Sequence, residues 1–354
     1  MQKEFDYADK IVRSLCELYH FHLVNIIPAG NSVVAQIKTA EKKEYALKVF
    51  LPVMFPQSKK LVSCGCVGFL PDSCDKFTVT FYNQGKKRSR SNYEVSLPQF
   101  WDLSFICENA VHERLKTLPC LDSIFVPCST IFGPGIRATI GKWCEGGNLR
   151  NFAISKRWKE TSWKIREAII WNIVQQMLKA MELIWGIGII HGDLKPENIL
   201  VENETITDTS RIMICDFGNA SDVKKPALMK HSTTTFYYPP NKSDLDFVDK
   251  TTDIWSMGVT AFELLTGDYF FPYKRQTSRR DIGEKKDLVS RRFGKKFLDC
   301  ANDNHFIGDG NGDCPCKLQK TPEWFRDIES FLTMKPLLEF LKRSLSLCES
   351  HRIS

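Results

Sequence analysis

The stretch HGDLKPENIL, residues 191–200, decides the reading of this chain, because it sets a carboxylate, a cation and an amide at short fixed intervals. Asp193 comes first, Lys195 stands two residues on, and Asn198 stands five residues after Asp193. Upstream, residues 162–188 place Ile165, Ile169, Ile173, Met177 and Met181 on one side of a long amphipathic helix, which predicts burial along that face. Downstream, the apolar segments NILVE and RIMICDF are joined by the polar run ENETITDTS and read as a hairpin just beyond a loop. That hairpin returns the chain to the loop carrying a second carboxylate, Asp216.

Further out, the two halves differ. Residues 23–50 read as three short antiparallel strands, with the charged turn EKKE before YALKVF. ENAVHERLKTL spaces Val111, Leu115 and Leu118 for one apolar helix face, and strand-like pieces follow at IFVP and IRATIGKW. Beyond the hairpin, TDIWSMGVTAFELLTG and ESFLTMKPLLEFLKRSL read as helices. Two stretches differ in composition and read as insertions, at about 51–101 and about 274–319. The first holds a candidate hairpin at FTVTFYNQGKK and the basic run GKKRSRS, for which a solvated loop outweighs an import signal or a phosphate patch.

Composition excludes several classes. With 43% hydrophobic and 26% charged residues, the 354-residue chain is an ordinary globular sequence rather than a disordered or fibrous one. MQKEFDYADK is charged where a secretory signal needs an apolar core, and no run approaches the roughly 18 apolar residues of a membrane span. A protein without membrane association, intracellular and cytoplasmic or nuclear, is expected. The 13 cysteines are odd in number and scattered, which argues against a disulfide scaffold. Neither Cys64, Cys66 and Cys74 nor Cys300, Cys314 and Cys316 has the paired spacing of a zinc site, and DGNGDC lacks the glycine and glutamate of a calcium loop. The net charge of +7 is not gathered on one helix and by itself decides nothing; a nucleic-acid partner is disfavoured because only GKKRSRS speaks for it.

The central residue types suit one chemistry. Phosphoryl transfer from ATP needs the phosphates held, their charge neutralised by metal, and a hydroxyl aimed in line. Asp193 can accept the proton of that hydroxyl, and Lys195 can place a cation where charge develops. Asn198 and Asp216 can hold magnesium, while Lys48, leaving the strand YALKVF, can pair with the α and β phosphates. His191 is expected to be a packed structural histidine rather than an acid or base.

Several motifs, in order, resemble the eukaryotic protein kinase superfamily from about residue 20 to the end, apart from the two insertions. YALK resembles the family's lysine strand, HGDLKPEN its catalytic loop and CDFG its metal-binding motif. TTFYYPPN resembles the end of the activation segment, and DIWSMGV the helix beneath the catalytic loop. The resemblance implies an α+β bilobal fold: an N-terminal extension over 1–22, a β-rich small lobe over 23–142, and a mostly helical large lobe over 143–354. It implies Lys48 as the phosphate lysine, with Glu108 its ion-pair partner in preference to Glu113. Asp193 and Lys195 would be catalytic, Asn198 and Asp216 would hold magnesium, and Asp253 would brace the catalytic loop from below. Aligning ATIGKWCEGGNL with the family's hinge puts Gly141 at the gatekeeper position and residues 142–145, ending in Glu145, in the ATP-binding hinge. Lys195 and Thr234 resemble serine/threonine rather than tyrosine kinases, with the branch of SR-protein and dual-specificity kinases most similar. The implied partners are ATP and protein substrates.

The chain also departs from the pattern. PAGNSVV keeps only Gly30 of the phosphate-binding glycine loop, and a backbone cradle is harder to build with side chains present. Gly192 stands where the family often has arginine, so no cation there meets an activation-segment phosphate. Asn241 replaces the acidic residue whose usual partner Arg352 resembles. The reduced glycine loop and the lost Asn241–Arg352 pair support the alternative of a weakly active or inactive pseudokinase scaffold.

Overall fold

The alternation in SVVAQIK and YALKVF buries Val33, Ala35, Ile37, Leu47 and Val49 on one face of a sheet and leaves Lys48 on the other. In the computed structural model, the described residues are 2–29, 32–50, 79–83, 86–91, 103–119, 124–126, 128–133, 136–226, 234–240, 242, 246–271, 323–346 and 352. Strands β1 (His22–Ala29), β2 (Ser32–Lys38) and β3 (Glu44–Phe50) form an antiparallel meander. The hairpin β4 (Val79–Asn83) and β5 (Lys86–Ser91) lies within the first insertion and pairs antiparallel; FTVTFYNQGKK predicts a hairpin here, but the basic run KKRSRS, expected as a solvated loop, forms its second strand because its backbone pairs with β4. Strands β6 (Cys128–Gly133) and β7 (Ile136–Lys142) complete the main sheet in the order β1-β2-β3-β7-β6.

Helix α1 (Gln2–Leu18) places Val12, Leu15 and Cys16 at helical spacing against the buried face of this sheet, joining the small-lobe core. The sequence left these residues as an unassigned extension. Helix α2 (Leu103–Leu115) follows the first insertion and buries Cys107, Val111 and Leu115. Of IFVP, residues 124–126 are described and form no strand; Phe125 makes an isolated bridge to Ile214 and is a buried core residue.

The large lobe begins with the short helices α3 (Leu149–Ala153) and α4 (Lys156–Glu160) and continues with α5 (Trp163–Gly186). Ile169, Ile173, Met177 and Met181 are buried along α5, but Ile165 is 54% exposed. Each four-residue step advances about 40° beyond a full turn, so an i, i+4 series drifts round the helix and its first member leaves the buried stripe. Strands β8 (Ile189–Ile190), β9 (Ile199–Val201), β10 (Ile212–Ile214) and β11 (Ser221–Asp222) pair as β9–β10 and β8–β11. Helix α6 (Lys250–Thr266) is buried from Thr252 to Leu265. It starts in a capping box between Asp249 and Thr252 and ends on Gly267 at φ +75°. Helices α7 (Glu323–Phe331) and α8 (Lys335–Ser344) close the lobe, with α8 packed on α5 and α6.

Gly30, Asn241, the second insertion and the two cysteine groups lie outside the described residues. Arg352 is buried, donates from Nε to the Ser346 carbonyl at 2.9 Å, and stacks over the Trp255 ring at 5.1 Å. Among the described residues no helix is long and apolar enough to cross a membrane.

Candidate active site

Between the lobes, side chains far apart in sequence converge. Lys48 projects from β3 on the face opposite the apolar core, and its Nζ lies 2.6 Å from Glu108 on α2 and 2.8 Å from Asp216. Burial alone would push this ammonium down, but Asp216 and Glu108 together hold it above the ordinary lysine range. Burial likewise opposes the charge on Asp216, yet Lys48 pulls its carboxyl down to about 2. Glu113 is exposed and pairs with Lys116 instead. Asp216 adopts φ +64°, a left-handed backbone unusual for a residue with a side chain, which marks the turn that presents it.

The loop HGDLKPENIL is fixed from below. Asp253, fully buried on α6, accepts from the N–H groups of His191 at 3.0 Å and Gly192 at 2.8 Å, and from Trp185 Nε1 at 3.0 Å. Burial raises its carboxyl above the usual range against these hydrogen bonds. Gly192 sits at φ +76°, where glycine has no steric penalty. His191 is fully buried, packs on Phe217 at 5.0 Å between ring centroids and contacts the Cys215 carbonyl, the structural role its position suggested.

Asp193 is almost fully buried and held on both oxygens. Its Oδ1 accepts from Thr234 N at 2.9 Å and Thr234 Oγ1 at 2.7 Å; its Oδ2 accepts from Lys195 Nζ at 2.7 Å and Asn219 Nδ2 at 3.3 Å. Lys195 also donates to Thr234 Oγ1 at 2.9 Å, and Asp193 holds its ammonium above the ordinary range against burial. Asn198 turns its amide NH2 onto the Asp193 carbonyl at 2.8 Å, which commits its nitrogen to the loop and leaves the side-chain oxygen for other duty. Asn198 and Asp216 therefore offer hard oxygen donors of the kind magnesium takes.

Glu145 is exposed after β7, and its N–H donates to the Glu202 carbonyl at 3.1 Å. No contact among the described residues joins it to Lys48, Asp193 or Asp216. Gly141 pairs with Ala46 on β3 and Cys128 on β6, and lines a cavity of about 710 Å³ with Tyr45, His112 and Trp143. Asn219 and the double contact of Thr234 with Asp193 were not foreseen as parts of the site. Asn219 had a signal in its place directly after CDFG; Thr234 had none beyond its motif, because its segment folds back from 41 residues away.

Comparison with known proteins agrees with this geometry. The protein kinase domain family profile matches residues 139–354. A probable serine/threonine-protein kinase of Dictyostelium discoideum is 32% identical over 148 residues, 41% of this chain and 16% of that protein. A serine/threonine-protein kinase of Saccharomyces cerevisiae is 31% identical over 128 residues, 35% of this chain and 11% of that protein. The matched segments thus span well under two thirds of these relatives. The structure of the Cydia pomonella granulovirus kinase PK-1 superposes with a TM-score of 0.57 at 18% identity, covering 97% of this chain and 94% of that one, and shares the fold. With YALK, HGDLKPEN and CDFG brought together between the lobes of a bilobal α+β fold, the chain belongs to the protein kinase family.

Proposed function

We propose that this protein is an active serine/threonine kinase that transfers the γ-phosphoryl group of ATP to protein hydroxyls. The observation that carries the reading is the meeting of Lys48 with Glu108 and Asp216, drawn from positions 60 and 168 residues away. An ammonium held by two carboxylates is charged and fixed in place, ready to meet phosphate oxygens. Asp193 acts as the base, and the contact from the Thr234 hydroxyl at 2.7 Å supports this, since a substrate hydroxyl makes the same contact. Lys195 stands beside it with the cation for the migrating group. Asn198 and Asp216 would hold magnesium, which neutralises phosphate charge when bound.

The test is labelled ATP with magnesium and a panel of basic proteins, comparing wild type with Asp216→Ala and Asp193→Asn. Wild type is expected to label serine and threonine, and each variant to fall by at least about 10²-fold. Equal labelling by wild type and Asp216→Ala would end the claim and leave a scaffold. Label on tyrosine alone would refute the residue specificity.

A further inference from the structure

Where the start of β6 and the end of β7 meet the last turn of α2, the wall of the 710 Å³ cavity holds a thiol and a buried imidazole, Cys128 and His112. Cys128 pairs with Gly141 of β7 and is half-buried, and its Sγ donates weakly to the Val126 carbonyl at 3.6 Å. His112 is 6% exposed; its Nε2 has no hydrogen-bond partner and stands 3.9 Å from Glu108 Oε1. Burial works against charge on this ring, but Cys128 and Glu108 outweigh it and raise its value to about 9, so the imidazole is cationic at neutral pH. The other described thiols differ. Cys16, Cys107 and Cys144 are buried, and Cys215 is pushed up by burial and by the Asp216 carboxylate. Phosphotransfer uses neither Cys128 nor His112.

A thiol attacks as its thiolate, and a neighbouring cation favours that form. The cavity supplies a place for what the sulfur attacks. Lys42, Lys43, Lys116 and Lys142 line it against Glu44 and Glu145, two cations to each acid. Three of these lysines have carboxylate neighbours, in Glu41, Glu113 and Glu202, while exposed Lys42 has none among the described residues. A glutathionyl group carries two carboxylates and one ammonium, the same balance with the signs reversed, and the volume lies within the roughly 300–1,000 Å³ of pockets that hold ligands of that size. We infer that Cys128 is a mixed-disulfide site, and that its cavity receives one half of a zwitterionic low-molecular-weight disulfide of the glutathione type. In that step the Cys128 thiolate attacks one sulfur of the disulfide, whose S–S bond breaks as a new one forms to Cys128. The other half leaves as a thiolate and takes up the proton that the Cys128 thiol gave up. Cys128 is oxidised and one glutathione is reduced.

The experiment treats the full chain with glutathione disulfide, at roughly 1 mM and about pH 7.5, and follows each cysteine by peptide mass spectrometry. Every rate is divided by the same reagent's rate with N-acetylcysteine, so that reagents can be compared. In wild type, Cys128 is expected to gain the mixed disulfide at least about tenfold faster than Cys215, and dithiothreitol to remove it. Modification of Cys128 no faster than that of Cys215 overturns the inference. His112→Gln should slow the reaction at Cys128 by at least about fivefold, and an unchanged rate in the folded variant overturns it as well. A further arm needs no buried substitution: the uncharged hydroxyethyl disulfide should react at Cys128 of wild type at least about fivefold more slowly than glutathione disulfide, and Lys42→Gln should narrow that gap. An uncharged reagent that keeps pace with glutathione disulfide shows that the cavity plays no part, and the inference falls with it. None of these readouts involves ATP, so they stand or fall separately from phosphotransfer.

Discussion

At position 192 the backbone turns left-handed, and its N–H is spoken for by Asp253 at 2.8 Å. A side chain there would add about 1–2 kcal/mol of strain. Glycine thus relaxes the loop of residues 191–200 and leaves position 192 without a cationic side chain. His112 carries a second local balance. It lies one turn past Glu108 on α2, its Nε2 is 3.9 Å from Glu108 Oε1, and its ring meets Phe217 edge-on at 5.8 Å. Burial works against its charge, but Cys128 and Glu108 outweigh burial and push it up from 6.5 to about 9. A group whose folded value is raised stabilises fully below its unfolded value and loses that contribution as pH climbs through the folded one. Wild-type unfolding free energy should therefore fall between about pH 6.5 and 9, by up to roughly 3 kcal/mol, and His112→Leu should lack this decline. Denaturant titrations at several pH values read it directly; parallel slopes for the two proteins would remove His112 from the account.

Helices α6 and α8 approach each other closely at Gly258. A Cβ built on Gly258 would meet Ser344 Oγ, and would stand 2.9 Å from Ser344 Cβ and 3.0 Å from Leu345 Cδ2. The serine side chain is rooted in a helix and fully buried, so it has little room to yield. Gly258→Ala should destabilise by about 1–3 kcal/mol, read as a lower denaturant midpoint at unchanged slope. A midpoint equal to wild type would show that α8 slides without cost. Nothing in DIWSMGV announces this contact, because it depends on a helix that enters more than 75 residues later. What the sequence does announce at this scale is periodic. The β1–β3 meander and the β9–β10 hairpin follow from period-two patterning and turn composition, and α5 and α6 from their apolar stripes. Ile165 escapes that reading because an i, i+4 series says nothing of where the stripe ends. Val12, Leu15 and Cys16 are likewise spaced for a helix face, but the charged residues around them in 2–18 mask the stripe.

Across the whole molecule, the site is legible where a motif keeps its members together and obscure where the fold must bring them together. Asp193, Lys195 and Asn198 share one loop, and their mutual contacts follow from two- and five-residue spacing. Thr234 with Asp193 depends on tertiary return, and no local pattern carries it. Lys48 is the case between: its strand is recognisable, but the insertion at about 51–101 hides which glutamate of α2 it meets. Once folded, that lysine joins the two lobes, reaching from β3 to Glu108 in the small lobe and to Asp216 at the start of the large-lobe segment CDFG. One ammonium between two carboxylates leaves the cleft negative by one charge, which favours a divalent cation and, through it, phosphate. Lys48→Met keeps the length of the side chain and removes the charge, so the cleft becomes negative by two and the phosphates lose their direct contact. Phosphotransfer should drop by at least about 10²-fold, with ATP affinity weakened and more dependent on magnesium than in wild type. Titrating magnesium at fixed ATP while following both binding and transfer checks this, and a variant within threefold of wild type at every magnesium concentration would show that Lys48 holds the lobes together without serving the phosphates.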